Sequence, residues 1–371
     1  MIVPTHRLSK DRPRMASKDP IVALFLHFIV RSDRRSKIER RGRSRFKEHG
    51  AVSPAKNIRY RDFRMTQIYS IASGKGGVGK SFITANIGVL LANQGQRVLL
   101  VDLDLGGPNL HTFFGLSNPK SGLNSFLSRQ VKDLNQVALE TRVANLSIIS
   151  SMDCSMEIAN LEHAQKLKIE RAIKRLPYDQ VLLDLGAGTH FNTLDFFLTS
   201  NENLLVLTPE PTSVENAFRF IRTAYLRIIK RSLGRSVFNS ILKEIVQRSG
   251  NGVAKLADMM RLFAKQDAHK GRLLEQRLAE FRFHFVLNQF STELNAAFGH
   301  RIEKTCNRHF YSTFRFLGNI SYDQRVHTAV FSRKLFINEY PYTATATDLQ
   351  NITDKLTENE QEYSLQSSGT P

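Results

Sequence analysis

The stretch "SGKGGVGKS", Ser73 to Ser81, separates the apolar run "IYSIA" from "FITANIGVLLANQG". Its last eight residues fit the spacing G-x-x-x-x-G-K-[ST], with Gly74, Gly79, Lys80 and Ser81 at the fixed positions. A glycine-rich turn from a buried strand into a helix converges backbone N–H groups and the helix N-terminus on phosphate oxygens, and a β-carbon there would block the approach. In that arrangement Lys80 reaches the β- and γ-phosphates of a nucleotide and the Ser81 hydroxyl ligates Mg²⁺. The pattern leaves Lys75 without a task.

Outward from this turn, strand-like runs and helix-like patterns alternate from Gln67 onward, as an α/β fold with a mainly parallel sheet and crossover helices requires. "QIYSIAS" is the first strand, the helical stretch Lys80 to Asn93 stops at Gly95, and "RVLLVDLD" reads as a fully buried strand. "LSIIS" (Leu146 to Ser150), "DQVLLDLG" (Asp179 to Gly186), "NLLVLTP" (Asn203 to Pro209), "FRFHFVLNQ" (Phe281 to Gln289) and "FRFLGNI" continue the series. Val214, Ala217, Phe218, Ile221, Tyr225 and Ile228 form one apolar stripe on a helix after "PTS", with Thr212 or Ser213 as its cap. Residues 236–280 are charged and helical in character and are expected to be an insertion on the rim of the sheet. After Asn351 the chain turns acidic and then polar, with too few apolar residues to order itself. The folded domain is therefore placed at residues 65–357, with 358–371 a flexible tail.

Of the 371 residues 41% are hydrophobic and 23% charged, an ordinary balance for a globular chain. Cys154 and Cys306 stand far apart and outside any CxxC or Cys/His cluster, which argues against a disulfide framework or structural zinc and for a reducing, cytoplasmic compartment. The formal charge is +19, but residues 1–64 hold 18 Lys+Arg against 6 Asp+Glu, a net +12, leaving +7 for the other 307 residues. That leader carries one apolar run, "IVALFLHFIV", too short to span a bilayer and followed by arginines instead of a cleavage site. It reads either as a basic arm for acidic lipid or nucleic acid or as an upstream extension, with Met65 as the true start; the second is preferred because the leader lacks sustained periodicity.

"KGGVGKS" resembles the mark KGGxGK[ST] of the MinD/ParA-type deviant Walker A ATPases, a SIMIBI-type branch of P-loop NTPases. The resemblance implies nucleotide contacts at Gly74, Lys75, Gly76, Gly77, Val78, Gly79, Lys80, Ser81 and Phe82, and it gives Lys75 a role: reaching the nucleotide of a second subunit in an ATP-dependent homodimer. "VDLDLGGPNL" looks like the family's first switch, with Asp104 positioning the attacking water and Asp102 near the metal. Two carboxylates ending a buried strand need a cation or a catalytic task in any case. "VLLDLGAG" resembles the Walker B strand and second switch, with Asp184 on the metal side. Its Gly186-Ala187-Gly188, where much of the family has proline at the first position, is similar to the FlhG/FleN/YlxH branch that governs flagellar number and placement, as are "TPEPTSVENA" and "FVLNQ". Asn288 matches the residue that reads the adenine edge; from the residues alone it serves equally as a strand-end turn residue.

The expected function is thus a slow, partner-stimulated ATPase using ATP and Mg²⁺ to time the placement of a cellular structure, flagella first. Its expected partners are a second copy and an activating protein, with peripheral contact at the inner face of the cell membrane left open. Family members of this kind usually end in a basic amphipathic helix, and the acidic tail here does not supply one. "AVFSRKLF" (Ala329 to Phe336) is amphipathic, but its apolar residues are expected in the core. The alternative is a partition ATPase binding DNA through "RIIKRSLGR" (Arg227 to Arg235), a run that otherwise reads as a solvated helix end. Iron-sulfur carriers are disfavoured by the isolated cysteines, tyrosine autokinases by the scattered Tyr340, Tyr342 and Tyr363, and a nucleotide-binding scaffold without turnover stays open.

Overall fold

A computed structural model describes residues 66–117, 119, 121–154, 161–200, 202–249 and 256–367. The readings of the leader and of Met65 as a start lie outside the described residues. In chain order the elements are β1 (Gln67–Ser73), α1 (Lys80–Asn93), β2 (Val98–Leu103), α2 (Leu123–Leu127), β3 (Leu139–Glu140) and β4 (Leu146–Ile149). These are followed by α3 (His163–Ile173), β5 (Gln180–Ala187), α4 (Phe191–Phe197), β6 (Glu202–Leu207), α5 (Pro211–Leu233), α6 (Arg235–Ser249), α7 (Leu256–Gln266) and α8 (Ala268–Ala279). The rest are β7 (Arg282–Phe290), α9 (Phe298–His309), β8 (Thr313–Ser321), α10 (Arg325–Phe331), α11 (Phe336–Glu339) and α12 (Ala344–Ser367).

The strands make one sheet in the order β3-β4-β2-β5-β1-β6-β7-β8. Every neighbouring pair is parallel except β3 with β4. β2 and β6 are buried along their whole length, which is why their apolar stretches, Val98–Val101 and Leu204–Leu207, read without alternation: both faces are covered. On one face Tyr69, Ile71, Val206, Val286 and Leu317 pack against Ile83, Ile87 and Leu91 of α1 and Leu349 and Ile352 of α12. On the other, alternate positions of the same strands meet an aromatic layer in which the Phe283 and Phe314 rings stack at 4.8 Å and Phe197 meets Phe220 edge-on at 4.8 Å. α1 sits close enough to β2 that a β-carbon at Gly88 would lie 2.7 Å from Leu100 Cδ2.

Three sequence expectations change. α5 starts earlier than expected: Pro211, with φ already fixed for a helix and no N–H to lose, opens it, and Glu210 is the cap. Ser213 instead accepts a hydrogen bond from Thr208 N at 3.0 Å. The chain also keeps its order past Asn351, since α12 runs to Ser367 with Leu349, Ile352 and Leu356 buried. One apolar residue per turn suffices there because α1 and β8 supply the other side of the contact. Finally, "AVFSRKLF" is only half core: Ala329 and Phe336 are buried, but Val330 is 42% and Phe331 92% exposed. Strand β3, two residues long, is too short to leave a pattern in sequence. The stretch between α5 and β7 holds helices α6, α7 and α8 and no strand among the described residues, and Ile241, Met259, Phe263 and Leu274 of it are buried.

Candidate functional site

The C-terminal ends of β1, β2 and β5 lie side by side, the edge where ligands bind in open α/β sheets. From β1 the chain turns through Ser73–Gly79 into α1. Gly77 and Gly79 take φ of 78° and 87°, the left-handed region where a side chain is strained. Gly74 is fixed for a different reason: a β-carbon there would stand 2.3 Å from the backbone carbon of Asn216 in α5. One at Gly79 would meet Asn288 Nδ2, also at 2.3 Å. The loop is held by Ser73 Oγ donating to Lys75 O at 2.8 Å and by Asn288 Nδ2 donating to Val78 O at 2.8 Å. Gly76, by contrast, has open space where its β-carbon would be. Val78 and Phe82 are buried, the latter edge-on to Phe336 at 5.6 Å, so their side chains belong to the core and only their backbone lines the loop.

Lys80, 8% exposed, points its ammonium at Asp184 Oδ1, 3.6 Å away. Thr84 Oγ1 donates to the same oxygen at 3.2 Å. Asp184 and Asp102 are register partners on β5 and β2, and both are completely buried. Asp102 Oδ1 accepts from Asp104 N and Oδ2 from Leu110 N, each at 3.1 Å. Burial first, and then the charge of Asp184, push the Asp102 carboxyl up to about 8, against the pull of those two N–H groups. Burial also raises Asp184, although the Lys80 charge and hydrogen bonds from Ser81 and Thr84 act the other way. Two carboxylates are thus held together in the interior at an electrostatic cost that a divalent cation would relieve.

Asp184 Oδ2 is buried with no hydrogen-bond partner. With Ser81 at the same carboxylate and Asp102 its register partner on β2, that oxygen fits a cation that takes few protein ligands and leaves the rest to phosphate and water, as Mg²⁺ does. A caged transition metal does not fit: among the described residues no group of three or more His, Cys, Asp or Glu could hold one. Asp104 stands at the rim, half-buried, its Oδ1 3.3 Å from where a β-carbon of Gly186 would be. The segments that follow β2 and end β5 therefore approach each other at a position where glycine leaves room.

Lys75 is on the open side of the loop. Its Nζ pairs with Glu210 Oε2 at 2.9 Å, with the two side chains 43% and 55% exposed. The structure thus brings Lys80, Ser81, Asp102 and Asp184 together around one point, with Asp104 at the rim, Asn288 beneath the loop and Lys75 turned outward. Sequence reasoning missed three participants. Thr84 is one helical turn beyond Lys80 and looked like an ordinary helix residue. Glu210 was visible within "TPEPTS" but shows its partner only once β6 lies beside β1. Asn216 acts through backbone, which leaves no signal in side-chain chemistry.

A model of the CobQ/CobB/MinD/ParA nucleotide binding domain matches residues 69–336. A MinD-named septum-site relative from Nephroselmis olivacea is 33% identical over 154 residues, 41% of this chain and 56% of the relative. The antiactivator FleN of Pseudomonas aeruginosa is 28% identical over 194 residues, 51% of this chain and 66% of that protein. The chain spans about half the length of the first curated relatives it matches, between 47% and 57%. Among solved structures, the septum site-determining protein MinD complexed with Mg-ADP from Pyrococcus horikoshii superposes with a TM-score of 0.51 at 21% identity, over 79% of this chain and 96% of that one. At that identity the likeness speaks to the fold, an eight-stranded, mostly parallel sheet of MinD/ParA type. The match of more than half the chain to the domain model settles the rest: this chain belongs to the CobQ/CobB/MinD/ParA nucleotide binding domain family.

Proposed function

We propose that the chain is a switch ATPase that binds ATP and Mg²⁺ at the Ser73–Ser81 loop, dimerises in that state and hydrolyses ATP slowly until a partner stimulates it. The observation that carries the reading is the convergence of Lys80, Ser81 and two fully buried carboxylates, one with an unpartnered oxygen, at the mouth of a glycine loop. In this reading Lys80 leaves Asp184 for the β- and γ-phosphates, and the loop N–H groups between Gly74 and Ser81 hold the phosphate oxygens. Ser81, with Asp102 and Asp184 behind it, would hold Mg²⁺, whose charge would be available to neutralise the transferring phosphoryl group. Asp104 orients the attacking water from the rim. Asn288 keeps its Nδ2 on Val78 O, so its carbonyl oxygen is the end that meets the adenine amine.

Lys75 adds its charge to the nucleotide of a facing subunit and must first leave Glu210, which makes the dimer the catalytically complete state. A role in flagellar number or placement draws on the Gly186-Ala187-Gly188 segment and on the relative named antiactivator FleN. No helix among the described residues is long and apolar enough to cross a membrane, so any membrane contact in this reading is peripheral. The partition alternative loses support from "RIIKRSLGR", because Arg227 and Arg231 converge on one carboxylate, Asp195, instead of spreading along a line as a phosphate backbone requires. The test is ATP binding and turnover of the parent and Lys80→Ala proteins with and without Mg²⁺. Binding and Mg²⁺-dependent turnover in the parent, both lost in the variant, support the reading; equal turnover in the two proteins refutes it.

A further inference from the structure

Asp195 lies on α4, the helix that follows the second switch segment, and its side chain is 6% exposed. Three cations converge on this single carboxylate. Lys166 Nζ of α3 stands 2.7 Å from Oδ2, Arg227 of α5 contacts both oxygens, with Nη2 at 2.7 Å from Oδ2, and Arg231 of α5 contacts Oδ1. Two oxygens thus serve three full charges, and the nearby Glu170 is already paired with Lys174 at 2.8 Å. Sequence deepens the imbalance, since no acidic residue occurs between Glu215 and Glu244. The cluster borders a shallow cleft whose polar lining is His163, Lys166, Glu170, Asp195, Thr199 and Arg231. Surplus charge faces the opening, because Arg231 is 47% exposed while Lys166 and Arg227 are 14% and 24% exposed. Beside it Phe191 is 72% exposed, with the Arg227 guanidinium 5.1 Å from its ring centre.

We propose that this cleft between α3, α4 and α5 is a docking site for an acidic peptide segment of a partner protein, one carboxylate pairing with Arg231 and a neighbouring apolar side chain covering Phe191. Charge complementarity sets the first half of that chemistry and the exposed aromatic face the second. A nucleic acid is the poorer occupant: two of the three cations are mostly buried and all point at one spot, whereas a phosphate backbone needs cations spread along a line. Because α4 begins directly after Gly186–His190, an occupant that draws Arg231 from Asp195 would loosen the anchor of the second switch. The docking claim itself goes beyond the ATPase reading and stands whether or not the chain hydrolyses ATP.

The test is fluorescence anisotropy of the full chain with a short labelled peptide of repeated Glu-Leu-Glu-Glu, its Gln-for-Glu counterpart, and duplex DNA. The same titrations are run on Phe191→Ala, Arg231→Ala, Arg231→Lys and, as a control off the cleft, Arg219→Ala. The acidic peptide is expected to bind at least about tenfold tighter than the Gln peptide, and Arg231→Ala and Phe191→Ala are each expected to weaken it about five- to tenfold. Arg219→Ala leaves the affinity unchanged, and Arg231→Lys loses less than Arg231→Ala. The basic leader adds a background common to all variants, so the differences between variants are what count, and equal thermal midpoints show that each variant is folded. Equal peptide affinity in the parent, Phe191→Ala and Arg231→Ala overturns the proposal, as does tight binding of duplex DNA that Arg231→Ala weakens while the acidic peptide does not bind.

Discussion

Lys75 and Glu210 are both about half exposed, so their pair is worth about 1 kcal/mol or less, enough to hold the lysine aside but not to forbid its release. Glu210→Ala is therefore expected to raise ATP-dependent dimer formation by up to about fivefold, read by light scattering at fixed nucleotide; a loss of dimerisation would mean that Glu210 supports the interface directly. Gly74 illustrates the opposite case, in which nothing can give way. A β-carbon there meets the backbone of Asn216 at 2.3 Å, so Gly74→Ala must move the loop away from α5. The expected cost is about 1–3 kcal/mol of stability, with nucleotide binding lost more severely than stability, as separate calorimetric titration and denaturant melts would report. At this scale the site was largely legible: the fixed loop positions, the two strand-end aspartates and the leftover lysine all show in "SGKGGVGKS", "VDLD" and "VLLDLG". Glu210 and Thr84 were not, because each acquires meaning from a partner a hundred residues or more away.

Elements are held by a few contacts that carry more than their share. Asp195 ties α4 to α3 and α5 at once. Burial alone would raise its carboxyl, but hydrogen bonds from Arg227 and Lys166 and the charges of Arg227 and Arg231 outweigh that and hold it below its ordinary 3.8. A depressed carboxyl stabilises the fold in full above its unfolded value, and that contribution fades as pH falls through the folded value. Asp195→Asn is expected to cost about 3 kcal/mol at pH 7, a penalty that shrinks below about pH 4 in urea melts run across pH; a penalty independent of pH would assign the loss to packing. α12 gives a second prediction. Ile352→Ala is expected to cost about 2–4 kcal/mol, since Ile352 is 1% exposed against β8 and α1; a cost under about 0.5 kcal/mol would place α12 outside the cooperative unit. The central strands were readable from sequence because burial on both faces leaves runs such as Val98–Val101 and Leu204–Leu207. α12 was misread because a helix lying on one groove needs only Leu349, Ile352 and Leu356, which a composition average dilutes among polar neighbours. The exposure of Phe331 was misread for the reverse reason, as amphipathic spacing does not say which apolar residues find cover.

At the scale of the whole molecule, a parallel sheet that ends β1, β2 and β5 side by side puts the glycine loop and the segments carrying Asp104 and Asp184 at one edge. The fold class followed from the alternation of strands and helices, and the family from "KGGVGKS"; that the loop works between two chains is a proposal, and it rests on a lysine that points outward. The most direct measurement is sedimentation of the parent and Lys75→Ala proteins with Mg²⁺ and a non-hydrolysable ATP analogue, with turnover measured on the same samples. The expected result is a dimer for the parent and a monomer for Lys75→Ala, which still binds the nucleotide but hydrolyses ATP at least about a hundredfold more slowly. A Lys75→Ala protein that dimerises and turns over like its parent would contradict the two-chain site.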